Sequence, residues 1–334
     1  MTVNIAINGF GRIGRLVLRA IQESRRDDIE IIAINDLGSV ETNAHLLKYD
    51  SAHGRFPGKV ETLDKAFKID EKIIKVFSER DPSNLPWKEN NIDVLLECTG
   101  IFTKREQAQK HIDAGAKRVL ISAPATGDDL TVVYGVNNNK LNKNMTIISN
   151  ASCTTNCLAP IAMVINEEIG LEYGFMTTVH AYTGDQSVQD TLHSDLRRAR
   201  AAAHSMIPTS TGAAKAVGKV LPELDGKLDG TAIRVPTINV SLIDFQFTVK
   251  KETSSEEINN IILKASNERL KGILDTNNAP LVSTDFNHSS ASSTFDLTQT
   301  QVLGKKLCRI LSWYDNEWGF SNRMVDTAFA IGKL

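Results

Sequence analysis

Two rhythms of apolar residues run along this chain, and the switch between them divides it. Through the first half, short unbroken apolar runs at 3–8, 29–36, 94–97, 119–122 and 145–149 stand apart from stretches such as 12–23, where apolar residues recur every three or four positions. Runs of that length read as strands buried on both faces, and the three-to-four spacing reads as amphipathic helix. The opening is thus a β-α-β unit, and the alternation after it predicts an α/β fold with a mostly parallel sheet covered by helices. A helix is also predicted over 153–168, where Leu158, Ile161, Ala162 and Ile165 keep helical spacing behind a Ser152 cap. Beyond about residue 150 the pattern changes. The run 237–249 is long and β-rich, 307–313 continues it, and together they predict a more antiparallel sheet packed with helices. Val325, Ala328 and Phe329 predict a last helix over 322–333.

Composition narrows the classes without naming one. A chain of 334 residues has room for about two domains and a core that needs no staples. Lys and Arg number 38 against 40 Asp and Glu, a net charge of -2, which gives no basic footprint for nucleic acid or a membrane surface. Cys98, Cys153, Cys157 and Cys308 are too sparse for a disulfide framework and lack zinc spacing, so no metal is expected. No apolar stretch approaches the roughly 18 residues of a spanning helix, and Met1 leads straight into the first strand. The expectation is a soluble, cytoplasmic protein with reduced thiols.

Gly9-Phe10-Gly11-Arg12-Ile13-Gly14 falls between the first strand and the first helix, and Asp36 ends the next strand 22 residues after Gly14. Glycines there permit a tight turn and close backbone approach, and the helix start at Arg12 and Ile13 suits a pyrophosphate. A carboxylate at Asp36 accepts ribose hydroxyls and repels a 2′-phosphate, which favours NAD over NADP. Thr99 and Ser122 end later strands, where they either line the same crevice or simply punctuate strand and loop.

The candidate for chemistry is Cys153, in Ala151-Ser152-Cys153-Thr154-Thr155-Asn156-Cys157, where strand gives way to helix. Unpaired N–H groups and the helix dipole favour thiolate there; the alternative is a packed small hydrophobe. His180, closing the strand-like run 175–179, is either its base or a structural histidine. Cys157 lies one turn on and reads as packing, as do Cys98 and Cys308. Three polar segments suit an anion: Thr209-Ser210-Thr211-Gly212, Arg197-Arg198-Ala199-Arg200, and Arg234, which counts onto one strand face with Ile238, Val240 and Leu242. A solvated or subunit-facing charge run is the alternative for 197–200, and an internal salt bridge for Arg234.

The blocks NGFGRIGR at 8–15, ASCTTNC at 151–157, HAYTGDQ at 180–186, LRRARAAA at 196–203, IRVPT at 233–237 and WYDNEWGFSNR at 313–323 resemble the phosphorylating glyceraldehyde-3-phosphate dehydrogenases over essentially the whole chain. The resemblance implies a Rossmann NAD-binding domain over 1–151, completed by the C-terminal helix at 316–334, and a catalytic domain over 152–315. It implies a Cys153 nucleophile, a His180 base, and glyceraldehyde 3-phosphate and inorganic phosphate as substrates in glycolysis or gluconeogenesis. Thr183, Arg198 and Arg234 match the substrate-phosphate contacts; Ser152, Thr154, Thr211 and Gly212 match the inorganic-phosphate site. Asn316 matches the residue on the nicotinamide carboxamide, and Arg12, Ile13, Asp36, Arg80 and Ser122 match other NAD contacts. A homotetramer is implied as well.

One segment departs from the family pattern. Many NAD-specific relatives carry a proline before LRRARAAA, where this chain reads Asp190-Thr191-Leu192-His193-Ser194-Asp195. An erythrose-4-phosphate dehydrogenase is the neighbouring possibility, disfavoured by Thr211-Gly212. A non-catalytic NAD-binding regulator is the alternative from another class, disfavoured because cysteine, histidine and anion sites are all retained.

Overall fold

Strand Val3–Asn8 is the middle of a nine-stranded sheet, in the order Leu130–Thr131, Ile147–Ser149, Arg118–Ile121, Val94–Glu97, Val3–Asn8, Ile29–Asn35, Lys72–Phe77, Ala66–Ile69, Val60–Leu63. The first seven run parallel, and the last two join through antiparallel pairings. The computed structural model describes residues 2–334, which divide into two units. The first comprises residues up to Tyr134 with Asn138–Ala151 and Ser321–Leu334; the second comprises Gly135–Asn137 with Ser152–Phe320. In the first, the central strand is almost wholly buried, as an unbroken apolar run requires. Its register sets Asn8 beside Asn35 on one neighbour and Glu97 on the other. Three polar side chains thus meet in a row at the carboxyl ends of the strands, where open parallel sheets place their ligands.

The second unit holds an eight-stranded, mostly antiparallel sheet built on Leu171–Ala181, Ser241–Val249 and Leu307–Tyr314. Along Leu171–Ala181 the period of two puts Met176, Thr178 and His180 on the buried face and Tyr173 and Phe175 on the other. Helix Cys153–Glu168 packs here, buried continuously from Thr154 to Ile165. It runs through Pro160, although an interior proline forfeits a backbone hydrogen bond at a cost of about 3 kcal/mol. Burying Leu158, Ile161 and Ile165 offsets that, at about 1.5–3 kcal/mol each.

Two sequence readings fail in this unit. The run 237–249 is not one strand, because Pro236 cannot donate to a ladder and Val240 turns to φ +69°. Arg234 therefore does not share a strand with Ile238, Val240 and Leu242. It lies in Leu228–Val235, which pairs in parallel with Leu171–Ala181 and sets Arg234 directly beside His180. The last helix also begins earlier than predicted, at Trp318, because Asp315 Oδ1 accepts the N–H groups of Glu317 and Trp318.

Candidate active site

The glycine turn shows which positions tolerate only hydrogen. Gly9 sits at φ +89°, and a Cβ there would come within 2.7 Å of Thr99 N; one on Gly14 would reach 2.1 Å from Gly9 O. Around Gly11 a Cβ would meet nothing within 4 Å, because that residue faces a cleft of about 450 Å³. Asn8, Gly9, Asp36, Arg80 and Thr99 line the cleft too. Helix Arg12–Glu23 starts without a side-chain cap, as suits a helix start that receives an anion. Arg12's guanidinium is committed to Asp50 at 2.6 Å. Asp36 accepts from Phe10 N at 2.8 Å, Gly38 N at 2.8 Å and Asn43 Nδ2 at 3.2 Å, which leaves about one of its four lone-pair sites for a ribose hydroxyl. Ser122 follows strand Arg118–Ile121 and hydrogen-bonds Cys98.

Beneath the cleft lies a network that sequence reasoning missed. Glu97, 1% exposed, accepts from Asn8 Nδ2 at 2.6 Å, His111 Nε2 at 3.1 Å, Thr99 N at 2.8 Å and the Thr99 hydroxyl. Trp87 Nε1 donates to His111 Nδ1 at 3.1 Å, so the remaining proton of the ring is on Nε2, toward Glu97. Asn35 extends the row by donating to Asn8 Oδ1 at 2.7 Å. A lone Glu closing an apolar strand run is the signal in sequence, since a buried carboxylate demands partners.

Around the thiol, Ala151 turns the chain at φ +57°, Ser152 caps the helix through Thr155 N at 3.1 Å, and Cys153 is the first helical residue. Cys153 Sγ stands 3.6 Å from His180 Nε2. His180 Nδ1 lies 2.6 Å from Ala181 O, and Arg234 Nη1 reaches Nδ1 and Ala181 O at 3.1 Å and Thr183 Oγ1 at 3.0 Å. Arg234 has acceptors in Ala181 O and Thr183; Nδ1 therefore keeps its proton on Ala181 O, and Nε2 turns a lone pair to the sulfur. Thr154 points inward, its hydroxyl 2.8 Å from Tyr314 OH, and Tyr314 also meets Thr178 at 2.9 Å.

Electrostatics here pull in two directions. Burial pushes the Cys153 thiol above its ordinary value, although Arg234's charge and Thr154's hydrogen bonds oppose that. Burial, then Arg234, drives His180 down to about 3. Burial thus works against both charged forms, while Arg234's charge works for the thiolate that the helix start favours. Cys157 is fully buried against Ser293 Oγ at 3.2 Å and pushed up to about 12 by burial.

Thr183, Arg198 and Arg234 are brought together around Asp185. Arg198 Nη1 meets Asp185 at 3.0 Å while its Nε donates to Thr209 at 3.0 Å, and the Thr183 hydroxyl bonds Asp185. Asp185 resists burial's upward push because Thr183, Arg234 and Arg198 stabilise its charge. Arg200 pairs with Asp190 at the surface. Thr211 and Gly212 start helix Ala213–Val220, which also lacks a side-chain cap; Thr155 Oγ1 donates to Ala213 O at 3.2 Å, linking that start to the Cys153 helix. Among the described residues no group of three or more His, Cys, Asp or Glu is placed to hold a metal.

Residues 152–316 match the model of the glyceraldehyde 3-phosphate dehydrogenase C-terminal domain, and residues 3–105 match that of its NAD-binding domain. The chain belongs to the glyceraldehyde-3-phosphate dehydrogenase family. Proteins named glyceraldehyde-3-phosphate dehydrogenase from Xanthobacter flavus and Cereibacter sphaeroides are 65% and 60% identical to it across the whole of both chains. One from Geobacillus stearothermophilus is 54% identical over 100% of this chain and 99% of its own. The resemblance read from the motifs, the two-part α/β fold and the NAD cofactor are thereby borne out. The uncapped helix start, the open cleft at Gly11 and the remaining lone pair on Asp36 fit that cofactor. No described helix is long and apolar enough to cross a membrane.

Proposed function

We propose that this enzyme oxidises D-glyceraldehyde 3-phosphate and transfers the acyl group to inorganic phosphate, giving 1,3-bisphosphoglycerate. The observation that carries the reading is the 3.6 Å approach of Cys153 to a His180 whose acceptor nitrogen faces the sulfur, with Arg234 in register beside it. His180 Nε2 takes the thiol proton as the sulfur bonds to the aldehyde carbon, and that proton passes to the new alkoxide of the thiohemiacetal. The Cys153 N–H, at the helix start, steadies the developing oxyanion. His180 then removes the hydroxyl proton. Bound NAD supplies the hydride acceptor, so the carbon held on Cys153 becomes an acyl group in thioester linkage. Phosphate attacks that carbon and Cys153 leaves as thiolate.

Thr183, Arg198 and Arg234 hold the substrate phosphate, which displaces Asp185's carboxylate from Arg198. Ser152, Thr211 and Gly212 hold the attacking phosphate, with the uncapped helix start at Gly212 as its anion site, and Thr154, turned inward onto Tyr314, supports that site from behind rather than through its hydroxyl. Gly9, Gly11, Gly14, Arg12, Ile13, Asp36, Arg80, Thr99 and Ser122 hold the cofactor, and Asn316 its nicotinamide carboxamide. A cytoplasmic homotetramer working in glycolysis or gluconeogenesis is part of the reading. The exposed apolar sheet face supports assembly: Tyr173 is 69% and Phe175 52% exposed, and Leu192 and Leu196 are exposed as well. Steady-state kinetics test the whole. Turnover with glyceraldehyde 3-phosphate should require phosphate and prefer NAD; efficient phosphate-independent oxidation of erythrose 4-phosphate would overturn it.

A further inference from the structure

Between strands Leu228–Val235 and Ser241–Val249 the chain turns on a strained residue. Val240 is buried at φ +69°, a conformation that β-branched side chains rarely adopt and that persists only where surrounding contacts over-determine it. The residue it delivers is Ser241, 2% exposed and paired with Tyr314 on the adjacent strand. The Ser241 hydroxyl accepts from Ala181 N at 3.1 Å and donates to Asn316 Oδ1 at 2.9 Å. Ala181 follows His180 in the chain. Asn316 follows Asp315, whose carboxylate anchors the head of the last helix through Oδ1 and receives His288 N at 2.7 Å through Oδ2. A carboxamide has one accepting and one donating end, so a hydroxyl fixed on Oδ1 decides which way the NH₂ group is turned.

We propose that Ser241 is a positioning residue for the cofactor. It pins the Asn316 oxygen so that Nδ2 is offered to the carbonyl of the nicotinamide carboxamide, and it ties that amide to the strand carrying His180. The inference rests on the reading of Asn316 as the nicotinamide contact. Holding the amide in one orientation before the cofactor arrives removes the entropy of ordering it, which is the physical basis of preorganisation.

Ser241→Ala, Ser241→Cys and Ser241→Thr test it, against an unchanged protein first required to oxidise glyceraldehyde 3-phosphate with NAD and phosphate; if that fails, the functional reading and this proposal fall together. Three experiments are read: NAD titration without aldehyde for the dissociation constant, steady-state kinetics for kcat and KM, and the iodoacetamide alkylation rate of Cys153 without NAD. Loss of the hydroxyl's hydrogen bond to Asn316 in Ala and Cys should weaken NAD and lower kcat roughly tenfold each. Aldehyde KM and alkylation should stay within about twofold, and Thr, which keeps the hydroxyl, should recover most of the loss. In an Asn316→Ala background, Ser241→Ala should add nothing, because the two act as one unit. Unchanged NAD affinity in Ser241→Ala, additive losses in the double variant, or alkylation falling in step with NAD affinity overturns the proposal. The last result would place the effect on His180 instead.

Discussion

Glu97 beneath the nucleotide cleft receives four hydrogen bonds, whereas Arg234 beside the reactive thiol keeps a buried Nε with no partner among the described residues. The cleft is finished without its ligand: every buried polar atom in the row from Asn35 through Asn8 to Glu97 and His111 has its place, and strand register supplies it. At the reaction centre Arg198 is paired with Asp185 while Arg234 is held by Thr183, and burial opposes charge on both the thiol and the imidazole. A surface that only binds can afford full satisfaction. One that must move a proton and accept a phosphate keeps groups whose needs are met only when substrate arrives.

Substitutions on the two sides should therefore fail differently. Cys153→Ser should abolish oxidation, by about four orders of magnitude or more, while NAD binding measured by titration stays near that of the unchanged protein, because the acyl bond has no other carrier. His180→Asn should lower kcat by roughly 10²–10⁴, the usual worth of a positioned base. Neither should much reduce the melting temperature at neutral pH. Glu97→Gln should invert that pattern: two donors would face an NH₂ group, at about 1–3 kcal/mol for each orphaned donor. Denaturant unfolding should show that loss together with weaker NAD binding. If Glu97→Gln melts like the unchanged protein, the contrast between the regions is broken.

The smallest effect is in pH. His180's folded value of about 3 lies below its ordinary 6.5, so the unfolded chain binds more protons between them. Stability should fall as pH drops through that window, and His180→Asn should flatten the fall. Cys153 is raised above 9.0, so the folded chain binds more protons there and stability should also fall as pH rises beyond 9.0. Melting curves from pH 4 to 10 read both limbs, and an acid limb unchanged in His180→Asn would remove the claim that this imidazole is buried neutral.

What could be read in advance was local. The glycine turn, the Ser152 cap and the first-turn cysteine are each decided by a few neighbouring residues, and helix Cys153–Glu168 falls where its apolar spacing says. Asn8 and Glu97 are 89 positions apart and become partners only because their strands are adjacent. Arg234 was assigned to the wrong strand for the same reason: β-rich composition continues across Thr237 and Ile238 while the backbone breaks at Pro236 and Val240. The helix start that favours a thiolate at Cys153 is visible in sequence, and the packing that desolvates the sulfur is not.

The central claim is that Cys153 carries the acyl group until phosphate removes it. Mixing the enzyme with glyceraldehyde 3-phosphate and NAD in phosphate-free buffer, quenching in acid and mapping peptides by mass spectrometry tests this directly. One phosphoglyceryl adduct should appear on the peptide at Cys153 and disappear when inorganic phosphate is added before the quench. An adduct on Cys157, or steady turnover without phosphate and without any adduct, would contradict it.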